Sequence, residues 1–183
     1  MPDLADVRIF IPRIRRELDP GTATASAAPG YTDDMLKDVA ADAVGELYLI
    51  GGSAFPYSLN IASATPASAY APNDWEYYTD PEVPIILHNL VAIQAALTQL
   101  YRDAQAFKTQ EKISDEGSAW EVQRSATLMR DRINAMLQRR KEILAQLAYA
   151  NPELVTDYFV NMLEERSLNL DRVIEPYYYD GSV

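Results

Sequence analysis

Two stretches of regularly spaced apolar residues within 80–148 constrain the fold more than any other feature of this sequence. In the first stretch, apolar side chains recur at alternating steps of four and three residues: Ile86, Leu90, Ile93, Leu97, Leu100, Ala104 and Phe107. The second stretch repeats the spacing with one charged member: Val122, Ala126, Met129, Ile133, Met136, Arg140, Ile143 and Leu147. Because this period places one stripe along one helix face, it predicts two long helices. A short charged link joins them, so we expect an antiparallel helix hairpin.

Short motifs predict where these helices begin. Asp80-Pro81-Glu82 combines a preferred N-cap residue, a proline suited to the first helical position and an acidic first turn. We therefore expect the first helix to start there and to continue to about Lys108. Ser118 and Glu121 have the spacing of a capping box, which predicts a second helix that ends near Tyr149.

The N-terminal third predicts two more helices. A short one carries Pro12 in its first turn and ends before Asp19-Pro20-Gly21. A longer one begins at the N-cap Thr32, continues to about Ile50 and ends at Gly51-Gly52.

The predicted fold class is mainly α, an antiparallel helical bundle built on the long hairpin. Residues 1–150 form the helical domain, with an irregular insertion at 51–79 in which Tyr57 to Ala62 alternate as in a short strand. Residues 151–166 predict an additional helix, and 167–183 an extended C-terminal tail.

The charge of the chain limits the function classes that fit it. A net charge of −11 argues against a groove that wraps nucleic acid by neutralising phosphates. One acidic column and one basic helix stand out as candidate subunit-interface residues: Asp34, Asp38, Asp42 and Glu46 in the column, and Arg130, Arg132, Arg139 and Arg140 in the helix. Each carboxylate pair four residues apart costs roughly 0.2–0.5 kcal/mol. Either these are solvated faces, or the basic helix of one subunit meets the acidic column of the next in a closed ring.

Two irregular segments are candidate partner-binding elements. The loop candidates are apolar or aromatic: Tyr57, Leu59, Ile61, Tyr70 and Trp75. The tail candidates have the same character: Leu168, Leu170, Val173, Ile174, Tyr177, Tyr178 and Tyr179. Long loops often bind partners, and extended segments can add to a sheet edge or fill a groove. The alternatives are a loop that packs back onto the helices and a tail without fixed structure.

The sequence contains no recognisable catalytic or cofactor-binding pattern. Cysteine is absent, and the single histidine, His88, reads as an ordinary helix residue, so we expect no metal and no cofactor. Gly51-Gly52-Ser53 is neither a P-loop nor a nucleophile elbow. A pair of catalytic carboxylates has no sequence signature and stays open. No apolar run is long enough for a membrane span, and the N-terminus lacks the pattern of a signal peptide.

The order of these elements resembles that of a known family. The carrying stretches are the first helix ending Arg16-Glu17-Leu18-Asp19-Pro20, the Tyr31-Thr32-Asp33-Asp34 helix start, the loop with its strand, and Asp80-Pro81-Glu82-Val83-Pro84 before the paired helices. Over residues 1–148 this resembles the head–tail connector, or adaptor, proteins of long-tailed double-stranded DNA phages.

The resemblance implies a non-enzymatic protein that is made in the host cytoplasm and resides in the virion at the head–tail junction. Such proteins form a ring, commonly dodecameric, below the portal protein. The ring extends the channel through which genomic DNA passes without sequence-specific binding, and it docks the stopper or tail-terminator protein. An acidic lining would let DNA slide through.

Two other classes of function fit the same sequence. One is a helical scaffolding or regulatory module that binds a partner helix. The other is a small DNA-packaging subunit, with Arg130 to Lys141 as its recognition helix. Ring formation, a stable small dimer and salt-sensitive DNA retention would separate the three classes.

Overall fold

The computed structural model describes residues 5–18, 31–63, 75–111, 119–152, 156, 159–161 and 163. Within these ranges the elements follow in the order β1 (Ala5–Asp6), α1 (Ile11–Leu18), α2 (Asp33–Gly51), β2 (Ser58–Ser63), β3 (Trp75–Asp80), α3 (His88–Glu111) and α4 (Ala119–Ala150). Short 3-10 turns precede α1 at Val7–Phe10, follow α2 at Gly52–Ala54 and precede α3 at Ile85–Leu87. The mainly α fold class is confirmed.

Helix α3 lies at the centre of the bundle. It packs against α1, α2 and α4, and every residue from Leu90 to Leu97 is buried. These eight positions cover more than two turns, so α3 is enclosed on all sides and not only along its predicted stripe. Ile86 was expected in that stripe but is 44% exposed, because it lies in the 3-10 turn before α3 begins.

The two long helices are antiparallel, as predicted. Gln94 near the start of α3 contacts Arg140 in the second half of α4. Further along α3, Asp103 accepts a hydrogen bond from the Tyr31 hydroxyl, and this hydroxyl also lies near the charge of Arg132, earlier in α4. Helix α2 also runs antiparallel to α3. Therefore the N-terminal end of α3 and the C-terminal ends of α2 and α4 lie at one end of the bundle, here called the α3-start end.

The strands form one antiparallel sheet in the order β1-β3-β2. In the longer pair, Ser58 opposes Asp80 and Ser63 opposes Trp75. The short strand expected within 57–62 is confirmed, but β3 lies where only irregular structure was predicted.

The predicted start of the third helix is wrong by several residues. Asp80 is not an N-cap: it ends β3, its carbonyl accepts a hydrogen bond from Ser58 Oγ at 3.0 Å, and its bond to Pro81 is cis. Strand pairing uses the backbone of Asp80, so the helical turn forms later, and α3 starts at His88.

The predicted ends of α2 are confirmed. The hydroxyl of Thr32 accepts a hydrogen bond from the Met35 amide at 3.2 Å, which satisfies one free donor of the first turn. At the other end, Gly52 adopts φ +51°, a conformation that side chains with a Cβ disfavour.

Several expectations lie outside the described residues, among them the capping box at Ser118 and the tail 167–183. Of the additional helix expected over 151–166, residues 159–161 and 163 are helical. Phe159 and Leu163 are buried, as members of its predicted apolar face. Within the ranges given above, no helix has the length and apolar character needed to cross a membrane.

Candidate interaction surfaces

The acidic column on α2 is largely compensated within its own chain. Asp42 forms an ion pair with Arg102 of α3, and Asp34 lies 3.4 Å from Lys37 Nζ. Glu46 accepts a hydrogen bond from Gln94 Nε2 at 2.9 Å. The like charges that appeared unfavourable from the sequence are therefore offset by Lys37 on α2 itself and by Arg102 and Gln94 on α3. A contact between the column and another subunit stays a prediction.

Asp38 is the member of the column most shielded from water. Burial raises the pKa of its carboxyl group, with the nearby charge of Asp42 adding to the rise and those of Lys37 and Arg102 opposing it. Tyr77 of β3 lies beside this face, close enough for the charges of Asp38 and Asp42 to act on its hydroxyl. Burial and the neighbouring carboxylates raise the pKa of Tyr77 in turn. The sheet therefore covers part of the column. This contact could not be predicted from the sequence, because strand β3 itself was not predicted.

Arg140 does not lie on the surface and is removed from the candidate interface. It is 4% exposed, and its Nη1 donates to Gln94 Oε1 at 2.8 Å. Its Nη2 donates to the carbonyl of Leu163 at 3.0 Å. Because Gln94 in turn donates to Glu46, a polar chain crosses the core from α4 through α3 to α2. The position of Arg140 in the apolar stripe had indicated burial, and its charge had misleadingly suggested a surface role.

The other three arginines of the candidate interface are exposed on α4. Arg130, Arg132 and Arg139 face outward, and Arg139 Nε lies 3.0 Å from Glu17 Oε2 of α1. The charge of Arg132 acts on Tyr31, whose hydroxyl donates to Asp103 Oδ2 at 2.6 Å. Burial and that hydrogen bond raise the pKa of Tyr31 to about 12.

A polar cleft of about 530 Å³ opens between α1 and α4, here called the α1–α4 cleft. Its walls carry three arginines against two glutamates, together with three side-chain amides. The lining residues are Arg13, Arg16, Glu17, Asn89, Ala135, Gln138, Arg139, Glu142, Ile143 and Gln146. Sequence reasoning missed this cleft because its two walls are more than a hundred residues apart in the chain.

His88 joins α1 to the start of α3. Because a guanidinium can only donate, Arg13 Nη1 donates to Nδ1 of His88 at 3.2 Å. The other ring nitrogen, Nε2, then carries the proton and donates to the carbonyl of Val83 at 2.9 Å. The ring of Phe10 meets the imidazole edge-on at 5.0 Å. Both ring nitrogens thus hold the fold together, which gives His88 a packing role.

The candidate loop residues are divided between core and surface. Tyr57 is buried with its ring edge-on to Phe55 at 4.9 Å, so it is not available to a partner. Leu59 packs partly against the core, whereas Ile61 is exposed. Trp75 belongs to β3, but its side chain and the whole of Tyr70 lie outside the described residues.

Large apolar side chains are exposed at the α3-start end. Leu49 near the end of α2 is 77% exposed, Ile85 before α3 is 75% exposed and Tyr149 near the end of α4 is 94% exposed. All three residues lie at this end of the bundle because α3 is antiparallel to α2 and α4. Helix periodicity gives no expectation for residues at helix ends, so the sequence did not single them out.

Among the described residues, no cluster of three or more histidine or acidic side chains could hold a metal ion. Comparisons with protein-family models, curated proteins and solved structures find no match to this chain.

Proposed function

We propose that this chain is a head–tail connector of a long-tailed double-stranded DNA phage, a structural protein that forms a ring below the portal. The proposal is supported by the order of α1, α2, the strand pair and the α3–α4 hairpin, which follows the order on which the resemblance rests. The observation that carries it is the arrangement of outward-facing surfaces. One is basic and lies along the side of the bundle, and the other is apolar and lies at its end.

The basic surface on α4 fits lateral contact between subunits. Arg130, Arg132 and Arg139 face away from the core, and a neighbouring copy with a net charge of −11 offers carboxylates to them. A lateral contact between two different patches repeats head to tail, and it closes into a ring when the rotation per subunit allows. With Arg140 inside the core, the contact uses the remaining three arginines.

The apolar end fits axial contact with the proteins above and below the ring. Leu49, Ile85 and Tyr149 lie at the α3-start end, where a docked portal, stopper or tail-terminator protein would remove them from water. Burying such side chains is worth about 1.5–3 kcal/mol each. The exposed Ile61 of β2 and the tail 167–183 offer further contacts in the assembled virion.

In this role the chain performs no catalysis and uses no cofactor. Genomic DNA passes through the ring without sequence-specific binding, since a chain of net negative charge repels phosphates. The protein is made in the host cytoplasm and acts in the virion at the head–tail junction.

The decisive experiment is native mass spectrometry with negative-stain imaging of the protein, alone and mixed with the portal protein encoded in the same genome. Closed rings, or a monomer that forms rings only on the portal, are expected. A stable small dimer that ignores the portal would contradict the proposal and favour a scaffolding module. Salt-sensitive retention of DNA would instead favour a packaging subunit.

Two sets of variants separate the lateral from the axial contact. Charge reversal at Arg130, Arg132 and Arg139 should prevent ring closure, and an unchanged oligomer size would exclude the lateral contact. Glutamate at Leu49, Ile85 and Tyr149 should leave rings intact and weaken portal docking. The matched control is Leu128→Glu, which changes an exposed apolar residue of α4 about 30 Å from Tyr149 along the helix.

A further inference from the structure

The α1–α4 cleft has more positive charge than its own carboxylates compensate. Glu17 is engaged by Arg139, and Glu142 accepts a weak hydrogen bond from Gln138 at 3.4 Å. Within the described ranges, neither Arg13 nor Arg16 has a carboxylate partner, since Arg13 donates to a neutral imidazole nitrogen. Two guanidinium groups of α1 therefore face a polar cleft with unused donors. Such groups are suited to carboxylates.

The cleft leads towards the apolar α3-start end. Asn89 in its wall lies one helical turn after the exposed Ile86, and Gln146 lies one turn before Tyr149. A peptide that follows the cleft would therefore meet guanidinium and amide donors first and large apolar side chains next. The surface fits a segment that combines carboxylates with aliphatic or aromatic residues.

The sequence contains one segment of that composition beyond the last described residue. Residues 164–183 carry five acidic against two basic side chains, together with five aliphatic residues and three tyrosines: Glu164, Glu165, Asp171, Glu175 and Asp180, Arg166 and Arg172, Leu168, Leu170, Val173, Ile174 and Val183, Tyr177, Tyr178 and Tyr179. At roughly 3.3 Å per residue, twenty residues can span about 66 Å. That reach is longer than α4, whose 32 residues span about 48 Å.

The position where this segment begins favours a neighbouring molecule. Leu163 is held by Arg140, and Phe159 packs on Gly51, so the last described residues lie beside the end of α2. The cleft lies between α1 and α4, on a different side of the enclosed helix α3. A second copy placed laterally would present its own cleft to the departing segment.

We propose that the α1–α4 cleft binds residues 164–183 of a second copy of this chain. Carboxylates of the segment pair with Arg13 and Arg16, and its apolar residues cover Ile86. The inference rests on the lateral self-association proposed above. It adds a defined site and a defined occupant for that association.

The absence of cysteine from the chain permits a direct test by disulfide trapping. One full-length variant carries Ala135→Cys in the cleft wall, and another carries Val173→Cys, which leaves the acidic residues of the segment unchanged. The two are mixed and oxidised, then resolved on a non-reducing gel. Since a disulfide requires Cα atoms within about 7 Å, a covalent dimer of one of each variant reports that the segment occupies the cleft.

The matched control uses Asn134→Cys in place of Ala135→Cys. Asn134 is equally exposed but turned about 100° away from the cleft on α4. We expect the mixed dimer with Ala135→Cys and its loss with Asn134→Cys. Adding Arg16→Glu should lower the dimer yield by roughly two- to fivefold, and Arg16→Lys should restore it.

The other outcomes overturn the inference. Equal trapping at both α4 positions means contact without a site. A double variant with both cysteines that closes only within its own chain means that the segment folds back. No trapping while rings still form excludes the cleft as the binding site but leaves the connector proposal intact. Failure of the wild type to form rings, alone or on the portal, contradicts the connector proposal itself.

Discussion

Helices α2 and α4 carry opposite charges in the sequence, but the structure uses these charges in different ways. On α2 the carboxylates turn towards Arg102, Gln94 and the sheet, so most of their charge is compensated within the molecule. On α4, Arg130, Arg132 and Arg139 face outward. A charged stripe in a sequence therefore identifies a helix face, and the packing around that face decides whether it is internal or available to a partner.

The largest expected difference in stability is between alanine variants of two neighbouring arginines of α4, Arg139 and Arg140. Arg140→Ala removes the charged donor of two buried hydrogen bonds, to Gln94 Oε1 and to the Leu163 carbonyl. Because a hydrogen bond with a charged donor contributes about 1.5–3 kcal/mol, we expect a loss of about 3–5 kcal/mol in the free energy of unfolding. Arg139→Ala breaks a pair in which the arginine is exposed and Glu17 half-buried, and it should cost about 1 kcal/mol. Urea denaturation of both variants measures the difference. Similar losses would mean that the inward-facing network contributes no more than a surface pair.

The next effect concerns the end of α2, where Phe159 packs. At Gly51 an added Cβ would lie 2.6 Å from Phe55 Cβ and 3.1 Å from the Phe159 ring, so Gly51→Ala should destabilise by about 1–3 kcal/mol. Gly45, in the same helix, has no atom within 4 Å of an added Cβ.

Gly45→Ala is the control for this substitution. It should stabilise by about 0.5–1 kcal/mol, because alanine favours the helix. Thermal denaturation of the two variants should therefore give shifts of opposite sign. A stabilised Gly51→Ala variant would show that Phe55 and Phe159 move away from the added methyl group at little cost in free energy.

A smaller effect compares acidic residues on the two helices. Asp42→Asn removes the partner of Arg102 and should lower stability by about 0.2–1 kcal/mol, with the difference shrinking at high salt. Asp131→Asn on the exposed side of α4 should change stability less. Chemical denaturation at low and high ionic strength distinguishes the two. An equal response would remove the distinction between internal and external charge.

The smallest effect is spectroscopic and concerns Tyr31, which contacts Asp103 near Arg132. With its pKa raised from about 10 to about 12, the folded protein keeps a proton that the unfolded chain loses. Stability should therefore fall as the pH rises between these values. Ultraviolet absorbance is titrated for the wild type and for Tyr31→Phe, and the second curve is subtracted from the first. The difference should show one tyrosine that ionises near pH 12. A difference curve centred near pH 10 would contradict the contact.

The sequence predicts the helices well because their signals are local. Thr32 and Gly52 set the ends of α2, and the spacing of apolar residues sets the α3–α4 hairpin. Strand β3 was missed because its partners, β1 and β2, lie elsewhere in the chain, and because Asp80-Pro81 has the form of a helix start. The exposed surfaces were only partly foreseen. Arg140 and Tyr57 turned inward, whereas the cleft formed by Arg16 and Gln138 depends on two distant segments.

The enclosure of α3 has a consequence for synthesis of the protein on the ribosome. Helices α1 and α2 leave the ribosome before α3, but the face of α3 that includes Gln94 is covered only when α4 follows. A nascent chain that ends after α3 would thus expose apolar surface to other nascent chains and to chaperones. The molecule can complete its core only after Leu147 has left the exit tunnel, so the packing of α1, α2 and α3 is completed by the last turns of α4.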